Sequence, residues 1–156
     1  MVSMRTLPYV GVALALLASG CTDNQDEDGA KKLWAGLEGA HYETWARPPN
    51  YEGPKASFTA HAERVEIFLN ASLAKAVDDR KPLPNDEWPQ GSLVVKRGYT
   101  SKGKLLLVAA MEKRPDGWAY YEFDCDGKPL FSGHPKICLD CHAKGADKIW
   151  SFGFPR

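Results

Sequence analysis

The sequence predicts an α+β domain: a curved antiparallel β-sheet, short flanking helices, and a C-terminal segment given over to a C-x-x-C-H motif. Three observations carry that prediction. Between Arg64 and Phe123 the apolar residues fall into short runs of strand length, the later runs are separated by short Gly-containing turns, and two other stretches carry helical spacing instead. Successive strands joined by short turns pair antiparallel, because a parallel crossover needs a dozen or more residues.

The chain opens differently from the rest. Arg5 is followed by the apolar run LPYVGVALALL and the small residues ASGC, ending at Cys21, which reads as a cleaved secretory leader over residues 1–20. The run is about half of the roughly 20 residues a spanning helix needs, so a permanent transmembrane helix is the weaker reading. LASGC also resembles a bacterial lipobox, in which the cysteine becomes the acylated first residue, although Leu17 stands one place further upstream than usual. The expectation is an exported, periplasmic protein anchored to a membrane through a lipid on Cys21, with plain secretion as the alternative. Residues 21–30 are acidic and without apolar periodicity, as in a solvated tether. Residues 31–156 then form one domain, consistent with a whole-chain composition of 44% apolar and 26% charged residues. Lys and Arg number 20 and lose Arg5 with the leader; set against 20 Asp and Glu, this leaves a formal net charge of −1. No nucleic-acid partner is expected, since that would favour a basic face.

From Lys31 to Trp45, Leu33, Trp34, Leu37 and Tyr42 recur at roughly helical spacing despite two glycines, predicting a first helix. ARPPNYEGP, with three prolines and a glycine, is a loop. RVEIFLN (64–70) alternates as a half-buried strand does, and ASLAKAVDDR follows as a short helix. NAS at Asn70 matches a glycosylation sequon, which a bacterial export signal makes a coincidence. KPLPNDEWPQG is a proline-rich surface connection. Three strands are then predicted at 92–99, 104–111 and 118–123, with TSKG and EKRPDG as the turns between them.

The chemistry is concentrated late, in KICLDCHAKG. Cys138, Cys141 and His142 have the spacing that lets two thiols form thioethers with the vinyl groups of one haem while the adjacent imidazole ligates iron. Covalent attachment of haem c suits an exported protein. A redox C-x-x-C, a disulfide and half of a zinc site are the alternatives. A thioredoxin-like motif would begin a helix within a βαβ unit, absent here, and His134 with Cys125 is irregularly spaced as a second zinc-ligand pair. Cys125, in the turn DCDG, reads as structural or incidental.

Nothing beyond His142 is a methionine, which excludes the common layout of an N-terminal motif with a later methionine ligand. The proline-rich, strand-patterned body also differs from a four-helix bundle carrying its motif last. Met111, His41, His61 and His134 remain as soft or imidazole candidates for a sixth ligand, besides lysines. If none of them binds iron, one face stays open, which suits ligand binding or catalysis; two filled faces suit electron transfer.

WPQGSLVVK, then LLLVAAMEKRPDGWAYYEF, then CLDCH resembles, in order and spacing, the cytochrome P-460 family and its relative cytochrome c′-beta, from about Phe58 to Trp150. The resemblance implies a largely antiparallel β fold around one haem c, with His142 as proximal iron ligand and Cys138 and Cys141 as the attachment points. Cytochromes P-460 cross-link a lysine to the porphyrin and oxidise hydroxylamine; Lys96, closing GSLVVK, stands where that lysine would. Strand alternation puts Ser92, Val94 and Lys96 on one face and Leu93, Val95 and Arg97 on the other, without saying which face is inward. Active members also place a carboxylate over the open iron face in the approach to the motif. Here the approach, PLFSGHPKI, has no acid, so His134 or Ser132 could substitute and Glu112 or Glu122 could reach in from a strand. That departure leaves room for the c′-beta alternative, reversible binding of nitric oxide or another diatomic gas in an aromatic pocket, for which Phe58, Phe68, Phe123 and Phe131 are candidates. A simple electron-transfer cytochrome is a second alternative. The implied partners are a small nitrogen-oxide species or diatomic ligand and an external cytochrome; a homodimer is compatible with the resemblance.

Overall fold

The computed structural model describes residues 25–78, 87–145 and 147–149. The leader, Cys21 and the proline-rich residues 81–86 lie outside the described residues. Six strands run β1 (Lys55–Thr59), β2 (Ala62–Leu69), β3 (Leu93–Tyr99), β4 (Leu105–Arg114), β5 (Gly117–Asp124) and β6 (Pro129–Gly133). They form one open sheet in sequence order, each pair antiparallel. Helices α1 (Glu27–Gly39) and α2 (Ala71–Asp78) precede β1 and separate β2 from β3, and α3 (Lys136–His142) carries the motif. The fold class is therefore α+β.

Both faces of the sheet are covered, which is why its central strands read as near-continuous apolar runs. Phe68, Val95, Val108, Ala110, Ala119, Tyr121 and Phe123 pack on one side with Ala30 and Leu37 of α1. On the other, Ile67, Leu69, Val94, Met111, Trp118 and Tyr120 pack with Leu73 and Val77 of α2 and with Ile149 from beyond the motif. Full burial of side chains such as Phe68, Phe123 and Leu73 stabilises the fold by roughly 1.5–3 kcal/mol apiece.

Two local departures from the sequence reading have clear causes. Helix α1 starts at Glu27, inside the acidic stretch expected to be a tether, because Asp26 accepts the Gly29 N–H at 3.0 Å while Glu27 and Asp28 occupy the first turn. Carboxylates there cap orphan N–H groups and complement the helix dipole. Asn70 likewise caps α2: its Oδ1 accepts the N–H groups of Leu73 and Leu93, both at 3.1 Å. The strands β1 and β6 have no counterpart among the predicted ones. They form the sheet edges, where β1 is mostly exposed and β6 starts at a proline and ends at a glycine, so neither carries a two-sided apolar pattern.

The turn predicted over EKRPDG narrows to two residues, Pro115 and Asp116, with Arg114 paired to Gly117 and Gly117 at φ 122°. That tight turn sets the register of β4 against β5, and with it the inward face of each.

Candidate functional site

Helix α3 begins after Pro135, whose carbonyl accepts the N–H groups of Cys138 and Leu139 at 3.0 and 3.1 Å. Cys138, Cys141 and His142 stand at i, i+3 and i+4, a spacing that gathers side chains on one helical face. All three line a cavity of about 250 Å³ between α3 and the sheet. Cys138 packs against the core and Cys141 is exposed, so the cavity runs from the apolar interior to the surface.

The sheet supplies the opposite wall by its register. Ile67 pairs with Lys96, Lys96 with Ala109, Ala109 with Glu122 and Glu122 with Phe131, so one row crossing five strands points to one face. Lys96, Ala109, Glu122 and Phe131 of that row all line the cavity. Ala109 matters for what it lacks: a methyl between two long polar side chains leaves the hollow open.

Lys96 thus faces the motif. Burial pushes its ammonium below the ordinary lysine range, opposed by the charges of Cys141 and Glu122. Glu122 is paired in turn with His61, Nδ1 to Oε2 at 3.1 Å, and His61 comes from the β1–β2 turn and also lines the cavity. A close approach permits this, since a Cβ on Gly98 would stand 2.4 Å from the His61 carbonyl oxygen.

His142 Nδ1 lies 2.8 Å from the backbone carbonyl of Lys148. A carbonyl oxygen can only accept, so the proton is on Nδ1 and Nε2 keeps the lone pair a metal would use. Burial lowers the pKa of this imidazole, with the Lys148 hydrogen bond acting against it and Lys96 and His61 adding to it. The His142 ring lies 5.1 Å from that of Tyr120 and 6.4 Å from that of His61, centroid to centroid.

The donor set suits a covalently held haem. Two thiols and an imidazole with a lone pair on Nε2 share an apolar cavity with Val94, Met111 and Ile137. The Tyr120 hydroxyl in its wall is buried without a hydrogen-bond partner among the described residues. Among the described residues, no group of three or more His, Cys, Asp or Glu is arranged to hold a bare metal ion.

Several expectations for the remaining residues change. Of the four phenylalanines considered for the pocket only Phe131 lines it. Phe68 and Phe123 are in the core on the other face of the sheet, as alternation from Lys96 and Glu122 requires, and Phe58 is fully exposed on β1. Glu112 bonds to Arg114 at 2.7 Å and lies against the α1 side. Ser132 accepts the Asp26 N–H at 3.0 Å, and neither Ser132 nor His134 nor His41 lines the cavity. Met111 lines it and is buried in the core beside it. Cys125 is an exposed thiol in the β5–β6 turn. The sequence offers His61 only as one candidate sixth ligand and carries no signal for its pairing with Glu122, which depends on the register of strands β2 to β5.

The comparisons return nothing to set beside this geometry: no family model, curated protein or solved structure matches the chain.

Proposed function

We propose that the chain is an exported mono-haem c-type protein of the cytochrome P-460 kind, anchored through Cys21, that oxidises hydroxylamine or a similarly small nitrogen species. The observation that carries this reading is the convergence of Lys96 and Glu122, from separate strands, on the cavity lined by Cys138, Cys141 and His142. Cys138 and Cys141 would hold the haem and His142 Nε2 would ligate its iron. When bound, the haem would supply a redox-active iron site for a small nitrogen ligand, with an external cytochrome as electron acceptor.

The chain's own residues handle the protons. Removal of two electrons from hydroxylamine releases two protons. Glu122 is the carboxylate within the cavity and takes one of the two protons, with His61, hydrogen-bonded to it, sharing the charge, while the second leaves to solvent at the exposed Cys141 end of the cavity. The family's carboxylate comes from the approach to the motif; here a strand supplies it, which answers the departure in PLFSGHPKI. Lys96 sits on the same row and is the residue for the porphyrin cross-link that the resemblance implies. The gas-binding alternative has less support, because three of the four candidate phenylalanines are elsewhere.

The test is production of the full chain with c-type maturation, followed by an optical spectrum, mass analysis of haem peptides and assay with hydroxylamine and a one-electron acceptor. One haem per chain, a peptide containing Lys96 coupled to the haem peptide, and a fall of ~10²-fold or more in kcat for Glu122→Gln are expected. A chain without haem, or a haem protein that turns over no hydroxylamine, would overturn the reading.

A further inference from the structure

The backbone just past the motif is held in an uncommon shape. Asp147 and Lys148 stand consecutively in the left-handed region, at φ 39° and 67°, where residues other than glycine persist only if their surroundings hold them. The holding contacts come from the sheet and from the segment leading into it. Lys113 on β4, only 6% exposed, reaches Asp147 with Nζ at 2.8 and 3.0 Å from the two carboxylate oxygens and lies 3.5 Å from Glu87. The Trp88 N–H donates to the same Asp147 carboxylate at 2.9 Å, and Ile149 is buried in the core one residue beyond Lys148.

Within the segment, the Lys148 N–H donates to the Gly145 carbonyl at 3.1 Å and the Gly145 N–H to that of His142 at 3.2 Å. Gly145 has no room for a side chain, because a Cβ there would stand 2.7 Å from the carbonyl carbons of Lys148 and Ile149. The product of these contacts is one placement, the Lys148 carbonyl 2.8 Å from His142 Nδ1. A buried charge pair is a costly way to fill space, since apolar residues of similar volume often do so at no loss of stability. Its use here therefore points to position rather than to packing.

We infer that Lys113 and Asp147 are positioning residues for His142. Through the Lys148 carbonyl they fix the imidazole in its Nδ1–H form and set its orientation, leaving Nε2 as the ligating atom. Partners of this kind tune the basicity of a ligating histidine. The inference rests on the haem reading only for what Nε2 binds.

Purified full-length protein labelled with ¹⁵N at histidine tests it. Haem content is measured first. If haem is carried, the iron–histidine stretching band of the reduced protein reads the hydrogen bond; if none is carried, the ¹⁵N shifts of the His142 ring read it in the same chain. Failure of the haem reading is thereby separated from failure of this one. The wild type should show a protonated, slowly exchanging Nδ1. Lys113→Met and Asp147→Asn should shift the band to lower frequency, or lose the protected Nδ1 proton, and Lys113→Arg should restore most of the wild-type signal. Gly145→Ala should give the same shift with every charge retained. A wild type with its proton on Nε2 overturns the inference without any variant. So does a wild-type signal in Lys113→Met, and if Lys113→Met does not fold, a wild-type signal in Asp147→Asn overturns it instead.

Discussion

Ala109 does as much for the cavity as the polar residues beside it. Standing between Lys96 and Glu122 in one cross-strand row, it keeps their long side chains separated by a hollow instead of by packed atoms. Ala109→Leu should fill that space. If the chain carries the proposed haem, we expect its incorporation to fall several-fold while the sheet still forms at little cost in stability, because the added carbons enter a hollow and not a packed core. Haem absorbance per chain and the urea midpoint would check this, and full incorporation would refute the role given to Ala109. Gly98 acts at the same scale through the backbone: a methyl 2.4 Å from the His61 carbonyl oxygen must move the β1–β2 turn. If the chain oxidises hydroxylamine as proposed, Gly98→Ala is predicted to lower kcat about as much as His61→Ala does, by loosening the His61–Glu122 pair, and equal activity to wild type would argue against it. Both sites were hard to see in the sequence, since alanine and glycine in strands carry no chemistry of their own and gain meaning only from their neighbours.

Among the elements, α1 depends on its N-terminus. Asp26 caps the helix through Gly29, takes Arg114 Nη1 at 3.0 Å and accepts the Tyr121 hydroxyl at 2.9 Å, while its own N–H bonds Ser132. One residue thus ties α1 to β4 and β5 through its carboxylate and to β6 through its backbone N–H. Asp26→Ala should cost about 1–3 kcal/mol, a lost cap together with a lost partner for Arg114. Chemical denaturation followed by tryptophan fluorescence measures it, and a change below about 0.5 kcal/mol would show the cap to be dispensable. The β4–β5 turn acts by geometry instead. Two residues, Pro115 and Asp116, place Ala109 opposite Glu122, and a slip of one residue would move Glu122 to the α1 side, because strand side chains alternate. The sequence announced a reversal at EKRPDG, but its length, which decides the face of every residue in β5, emerged only in the paired strands.

For the molecule as a whole, stability should fall at both ends of the pH scale. The hydrogen bond from Arg114 holds Asp26 below the usual carboxylate range against the effect of burial. Burial alone would raise Glu66, but hydrogen bonds from Tyr99 and Arg47 outweigh it and lower it. For these groups the folded pKa lies below the unfolded one, so their contribution is present above about pH 4 and is lost as pH falls further. Burial pushes the Tyr42 hydroxyl up to about 12, and Tyr99 and Tyr121 are raised by burial and by their carboxylate acceptors. Their folded pKa lies above the unfolded value of about 10, so the stabilisation is complete below that pH and disappears as pH rises through the folded values. Denaturation midpoints should therefore fall above about pH 10 and, for the carboxylates, below about pH 4, while the lowered His142 adds a loss that begins as pH falls below about 6.5. A plateau continuing unchanged to pH 12 would contradict the burial assigned to these tyrosines.

Some features followed from the sequence because they are local. Strand and helix type came from periodicity, the β4–β5 reversal from Pro-Asp-Gly, and the juxtaposition of Cys138, Cys141 and His142 from their spacing on one helix turn. The α+β class follows from these alone. The tertiary structure decided what depends on register and on contacts between distant segments: that Lys96 faces the motif, that Glu122 and not Glu112 joins it, that Phe68 and Phe123 lie on the far side, and that Lys113 reaches across to Asp147. Each of these turns on which of two sheet faces is inward. Alternation makes the choice binary, but only the packing of α1 on one face and the motif segment on the other makes it.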